Sequence, residues 1–193
     1  FAFFFAQVYH KGMRFAAPVR KALATSTIFN ILGPLTNPAH VNYELLGCYD
    51  VNLLETLAKA LKLTGVQRGM VINGNGMDEI SIFGSTKVSE LLADGSIKNY
   101  ELTNKDFGIT GNYTQNDLLG GTPEENAATA RLILSGKGND AHNAVISANV
   151  SAMLHLAGKT ESFKDGFEIA MDAVKSGHGI EKLDAISKIT SEA

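Results

Sequence analysis

Apolar positions change their spacing several times along the chain, and the changes mark out elements. Phe1-Ala2-Phe3-Phe4-Phe5-Ala6 is unbroken in apolar character and predicts a buried strand. His10–Leu23 follows with helical spacing, but Pro18 disfavours one unbroken helix and suits the first turn of a second. Thr27–Leu32 is again apolar and runs into Gly33-Pro34-Leu35-Thr36-Asn37-Pro38, where two prolines and a glycine predict a fixed loop. Leu45–Tyr49 reads as a buried strand. Asp50 can then cap a helix that sets Leu53, Leu54, Leu57 and Leu61 on one face. Gly69–Ile72 is a second short buried strand, ending at the loop signal Asn73-Gly74-Asn75-Gly76. Ile80–Phe83 predicts another strand. Asp94-Gly95 reads as a turn between two further runs, the second of which, Ile97–Leu102, alternates as a strand does.

Beyond this point the spacing is helical. Thr122-Pro123-Glu124-Glu125 is a capping box with proline at the first helical position, and its helix should end near Gly136. Ala141–Ala157 is a helix rich in small residues, closed by Gly158 and suited to close packing. Phe163, Phe167, Ala170 and Val174 line one face of a third helix ending at Gly177, and Ile180, Leu183 and Ile186 line the last. Strands alternating with helices predict an α/β fold: a central mixed, partly parallel β-sheet flanked by helices, with residues 1–193 forming a single domain.

Composition narrows the function classes. Of 193 residues, 45% are hydrophobic and 19% charged, which is ordinary for a globular chain with a sizeable core. The net charge of −3 gives no reason to expect nucleic acid or an anionic membrane as partner. Cys48 is the only cysteine, so no intrachain disulfide can form, which fits a reducing cytoplasm. The apolar start lacks a basic flank and is far shorter than the roughly 20 residues that span a bilayer. A chain opening inside a strand without methionine is expected to be a fragment.

Three stretches could carry chemistry. Asp78 and Glu79 follow the glycine-rich loop at the carboxyl end of a buried strand, where ligands bind in open α/β sheets. Mg²⁺ is commonly held by one or two carboxylates with waters and substrate phosphates, so the pair could serve it; the bland alternative is a solvated acidic turn. Arg20 could grip a carboxylate through two parallel hydrogen bonds, or simply pair with a nearby surface acid. His10 could line the same pocket or donate to a backbone carbonyl. Gly120-Gly121 before a helix N-terminus could receive a phosphate, but Glu124 and Glu125 already complement the helix dipole there, which favours a structural role. The chain contains no HExxH, CxxC or GxSxG, and Cys48 within an apolar strand reads as inert core.

Five segments taken together, His10-Lys11-Gly12-Met13, Ala17-Pro18-Val19-Arg20, the run Thr27–Pro38, Gly76-Met77-Asp78-Glu79 and Gly120–Asn126, resemble the anthranilate phosphoribosyltransferase family. They occur in order, at family-like spacing, over essentially the whole chain, and the Thr27–Pro38 run is the specific part. The resemblance implies an enzyme of tryptophan biosynthesis that joins anthranilate to 5-phosphoribosyl diphosphate with Mg²⁺ and releases pyrophosphate. It implies Mg²⁺ held by Asp78 and Glu79, anthranilate contacted by Arg20, and His10 on the anthranilate route. No residue is assigned a catalytic role, because an aromatic amine is already neutral at pH 7 and needs no general base.

The resemblance also implies that a small helical domain, a glycine-rich phosphate loop and a homodimer contact lie in an N-terminal part this chain lacks. The isolated chain is accordingly expected to be inactive. Ser26 stands where many members carry arginine, Asn73 where they often carry histidine, and His10-Lys11 where they have histidine-proline. Two alternatives stay open: a non-catalytic homologue or binding module of the same fold, and a pyrimidine nucleoside phosphorylase.

Overall fold

The structure, a computed structural model, describes residues 4, 6–25 and 27–191. The chain divides into two compact units, one running to Val41 and the other starting at Asn42. Of the expected strand at the start, Phe1–Phe3 and Phe5 lie outside the described residues, as does Ser26. Phe4 is exposed and in no strand, and Ala6 opens a helix.

The first unit is helical: α1 (Ala6–Tyr9), α2 (Met13–Leu23) and α3 (Phe29–Leu35). Here the structure corrects two expectations. α2 runs unbroken through Pro18. Proline removes only the bond that the Arg14 carbonyl would accept, and on so exposed a helix that carbonyl can be hydrated instead. Gly33-Pro34-Leu35 is likewise the last turn of α3, not loop. The φ of proline is already helical, and Thr36 closes the end by donating from its hydroxyl to the carbonyls of Leu32 (3.1 Å) and Gly33 (3.0 Å).

The second unit is built on four strands in the order β1 (Tyr43–Gly47), β2 (Arg68–Gly74), β3 (Thr86–Leu91) and β4 (Ile97–Leu102). β1 and β2 are parallel, with Leu45 opposite Met70; β2–β3 and β3–β4 are antiparallel. The expected mixed, partly parallel sheet flanked by helices is therefore what forms. Asp50 caps the turn Val51–Leu53, accepting from the Asn52 N–H at 3.0 Å, and leads into α4 (Leu54–Leu63). Leu54, Leu57, Ala58 and Leu61 bury the α4 face against the sheet. Asp94 and Gly95 make the β3–β4 turn, with Gly95 at φ 79° and Asp94 Oδ1 accepting from the Ser96 N–H at 2.8 Å.

The opposite face of the sheet carries the larger core. Met70, Ile72, Val88 and Leu102 project from the strands against Ala144, Val145, Ala148 and Ala152 of α7 (Asp140–Leu156). The small residues let α7 approach the sheet closely, as expected from its composition. α5 (Asn104–Phe107) contributes the buried Phe107, and α8 (Phe163–Ser176) packs along α7. α6 (Pro123–Leu134) starts on the expected capping box: Thr122 accepts from the Glu125 N–H at 3.3 Å, and Glu125 accepts from the Thr122 N–H at 2.7 Å. α9 (Gly179–Ser191) is the last helix.

Ile80, Ser81 and Ile82 are buried and Phe83 half-buried, but Ile80–Phe83 is not a strand, which corrects the sequence reading. Its backbone is satisfied by side chains instead of a ladder. Ile80 N–H donates to Asn149 Oδ1 (3.2 Å), Ser81 N–H donates to Thr86 Oγ1 (2.9 Å), and the Ile82 carbonyl accepts from Asn104 Nδ2 (2.6 Å).

Candidate functional site

The carboxyl ends of β1 and β2 lie side by side because the strands are parallel, and the chain leaving β2 turns back over that edge. Gly74-Asn75-Gly76-Met77 forms a tight turn, with reciprocal backbone bonds between Gly74 and Met77 of 3.0 and 3.1 Å. Asn75 (φ 55°) and Gly76 (φ 89°) both take positive φ, the conformation of a two-residue hairpin turn that asparagine-glycine favours.

Asn73 holds this turn from inside. It is buried, and its amide donates to the carbonyls of Cys48 (2.8 Å) and Tyr49 (3.1 Å) while accepting from the Gly76 N–H (3.1 Å). One side chain thus ties the end of β1 to the turn that precedes the acids.

Asp78 and Glu79 come next, and both are exposed. Their backbone crosses the sheet edge where two glycines make room. A Cβ on Gly47 would overlap the Asp78 carbonyl oxygen, and one on Gly74 would overlap that of Glu79. Among the described residues neither acid is ion-paired. Desolvation, and then the neighbouring Asp78 charge, raise the Glu79 pKa. Two adjacent acids of like charge on a fixed segment could hold a cation between them. No cluster of three or more His, Cys, Asp or Glu suited to a metal occurs among the described residues. A pair of carboxylates like this one could hold Mg²⁺ completed by waters and phosphate oxygens, and does not fit a closed all-protein cage.

His10 and Arg20 belong to the first unit. His10 is half-buried directly after α1, and Arg20 is half-buried in the last turn of α2. Cys48 is buried, donates to the Asp50 carbonyl at 3.3 Å, and has its thiol pKa pushed up by desolvation, so it is the inert core residue expected. Gly120-Gly121 is likewise occupied structurally, since Asn126 bonds the Gly121 N–H (2.8 Å) and carbonyl (3.1 Å).

Sequence reasoning missed Asn73, Thr86 and Asn149, the side chains that fix the acidic segment. Asn73 shows in the sequence as a loop former and as a departure from the histidine that family members often carry, and Asn149 only as one of the polar residues in an alanine-rich helix. A glycine inside the apolar run of β1 was the available signal, because glycine in a strand often marks close approach of another backbone.

A family model described as "Glycosyl transferase family, a/b domain" matches residues 1–180. An anthranilate phosphoribosyltransferase of Tolumonas auensis is 45% identical over 188 residues, covering 97% of this chain and 55% of its own length. Among solved structures, the anthranilate phosphoribosyltransferase of Thermus thermophilus superposes with a TM-score of 0.87 at 38% identity, covering 96% of this chain and 54% of that one. The Saccharomyces cerevisiae enzyme, solved in complex with PRPP and Mg, superposes with a TM-score of 0.82 at 30% identity, covering 95% of this chain and 51% of that one. The chain spans about half the length of the curated relatives it matches.

Proposed function

This chain belongs to the glycosyl transferase family, whose a/b domain it carries, and from that membership we propose that it is part of an anthranilate phosphoribosyltransferase. The whole enzyme transfers the phosphoribosyl group of 5-phosphoribosyl diphosphate to anthranilate with release of pyrophosphate, a step of tryptophan biosynthesis. The observation that carries this reading is the exposed Asp78–Glu79 pair, in no ion pair among the described residues, held at the carboxyl edge of the sheet in a chain that matches enzymes of this name over nearly its whole length. The family match over residues 1–180 runs through both compact units, which supports treating the matched part as one domain.

Asp78 and Glu79 would hold Mg²⁺ associated with the diphosphate. The ion, when bound, neutralises charge on the departing group. Arg20 seats the carboxylate of anthranilate, and His10 lines the route by which that acceptor enters. Orienting the acceptor in this way turns a bimolecular encounter into a positioned one. The anthranilate nitrogen forms its bond to the anomeric carbon as the bond to the pyrophosphate oxygen breaks, and the nitrogen then sheds one proton to solvent. The protein acts in the cytoplasm, as a homodimer, with neither nucleic acid nor membrane as partner. Among the described residues no helix is long and apolar enough to cross a membrane.

The test is to assay the protein at its full native length for pyrophosphate release from 5-phosphoribosyl diphosphate, with and without anthranilate and Mg²⁺. Release that requires both is the expected result. Release without anthranilate, or activity only on a nucleoside with phosphate, would overturn the reading, and the 193-residue chain alone should show none.

A further inference from the structure

The acids are short side chains on a segment that belongs to no strand, so something must fix the direction in which they point. A peptide group is planar, so holding its N–H also fixes the carbonyl on its other side. The peptide joining Glu79 to Ile80 is held at both ends. Its carbonyl lies over Gly74, where a Cβ would overlap it, and its N–H donates to Asn149 Oδ1 at 3.2 Å. Asn149 cannot turn away easily, because its Nδ2 donates to the Val145 carbonyl at 2.8 Å. These two partners also settle which end of the amide faces Ile80: reversed, an NH₂ would face an N–H and an oxygen would face a carbonyl.

The helix that carries Asn149 is itself pinned. Ala148, beside it, is fully buried against the sheet. Further along α7, His155 Nε2 lies 3.3 Å from Glu90 Oε1 on β3, and Glu90 is also bonded by Arg68 of β2 (3.4 Å) and Tyr100 of β4 (2.8 Å). α7 is thereby registered on three strands. Asn149 carries that register to the acidic segment, 69 residues away in sequence.

We propose that Asn149 is a positioning residue for the Asp78–Glu79 cation site, acting by clamping the Glu79–Ile80 peptide from α7. It touches no substrate in this role. The proposal rests on the reading of those acids as the Mg²⁺ pair and adds the residue that aims them.

The experiment uses the protein at full native length, with Mn²⁺ and inorganic pyrophosphate as the probe. Free Mn²⁺ is read by its paramagnetic resonance signal, and hydrogen exchange is read at the Ile80 amide. Asn149→Leu keeps the volume and removes the acceptor. It should weaken Mn²⁺ binding about 10-fold, the scale of losing a group that orients a metal ligand, and should speed exchange at Ile80. Asn149→Asp keeps an acceptor oxygen for Ile80 but loses the bond to the Val145 carbonyl, so protection at Ile80 and Mn²⁺ binding should both fall between the parent and the leucine variant. Leucine-variant binding within about twofold of the parent, small beside that scale, overturns the proposal, as does weakened binding with Ile80 still protected. Should the leucine variant not fold, Asn149→Ser, too short to reach Ile80, is read by the same two quantities. Asp78→Asn separates the two layers. If it leaves Mn²⁺ binding intact, the metal reading itself fails; if it abolishes binding while Asn149→Leu does nothing, only the clamp fails.

Discussion

Gly47 lies directly beneath Asp78: the space a β-carbon would occupy on the strand is filled by the Asp78 carbonyl oxygen. A glycine inside a strand weakens it through lost packing and extra chain entropy. Here the loss is offset by letting the acidic segment lie flat on the edge formed by β1 and β2. Gly47→Ala is expected to destabilise the protein by about 3 kcal/mol, the upper range for forcing extra volume into a packed site. It should also weaken cation binding, because the obstructing atom is backbone and the whole segment must lift. Denaturant unfolding and Mn²⁺ titration of the same variant check both halves.

The acids themselves give the most direct chemical test. In the full-length protein, Asp78→Asn combined with Glu79→Gln keeps the shape of both side chains and removes both charges. Turnover and the response to Mg²⁺ should each fall by at least about 10²-fold, the scale of removing one preorganised electrostatic group. Stability should hold or rise, because the desolvation and the Asp78 charge that together raise the Glu79 pKa then act on no charged group. Unchanged magnesium kinetics in this variant would refute the metal assignment.

The acceptor site proposed at Arg20 can be tested apart from the chemistry of the donor. Arg20→Ala should raise the KM for anthranilate by about 10- to 100-fold, as expected for the loss of a charge-assisted hydrogen bond. The KM for 5-phosphoribosyl diphosphate should move little. An effect confined to the phosphoribosyl substrate would show that Arg20 does not seat the acceptor.

What was legible in the sequence was local. The Asp50 cap, the Asp94-Gly95 turn and the Thr122 capping box are written in residues within a few positions of each other, and each forms as read. What was not legible depends on partners far along the chain. Ile80–Phe83 has the composition of a strand, yet its backbone bonds go to Thr86, Asn104 and Asn149. Conversely, β3 carries Thr86, Ser89 and Glu90, polar side chains that hide the strand from any hydrophobic pattern and are buried only because the Ser81 backbone, β4 and α7 supply their partners. Pro18 and Pro34 show a milder version, in which a helix breaker costs one hydrogen bond and the helix continues. The acidic pair could be located from the sequence, but the asparagines that hold its segment could not.

Glu90 makes stability depend on pH in a calculable direction. Burial pushes its pKa up, but hydrogen bonds with His155, Tyr100 and Arg68 outweigh that and hold it below the ordinary value. A depressed folded-state pKa contributes stability that is present above the unfolded value, about 4.3, and is lost as pH falls through the folded one. Glu90→Gln should therefore cost about 2 kcal/mol at pH 7, the range for hydrogen bonds to a charged group, and progressively less below about pH 4. Urea midpoints of parent and variant against pH should converge at the acid end. Curves that stay parallel throughout would mean that the carboxylate charge contributes nothing to holding α7.

The helix opening at Thr122 provides the contrasting case, a site where a ligand was conceivable and the geometry is already closed. Glu125 and Asn126 satisfy the N–H groups of Thr122 and Gly121, and Thr122 satisfies that of Glu125. A phosphate arriving there would have to displace a carboxylate that the Thr122 bonds already stabilise, and the pKa of Glu125 is lowered by those same bonds. Thr122→Ala is therefore expected to cost about 1 kcal/mol of stability as a lost cap and to leave the KM for 5-phosphoribosyl diphosphate unchanged in the full-length protein. Thermal unfolding with parallel kinetics decides between the two roles. A variant of normal stability that binds the phosphoribosyl substrate poorly would move Thr122 from the scaffold into the site.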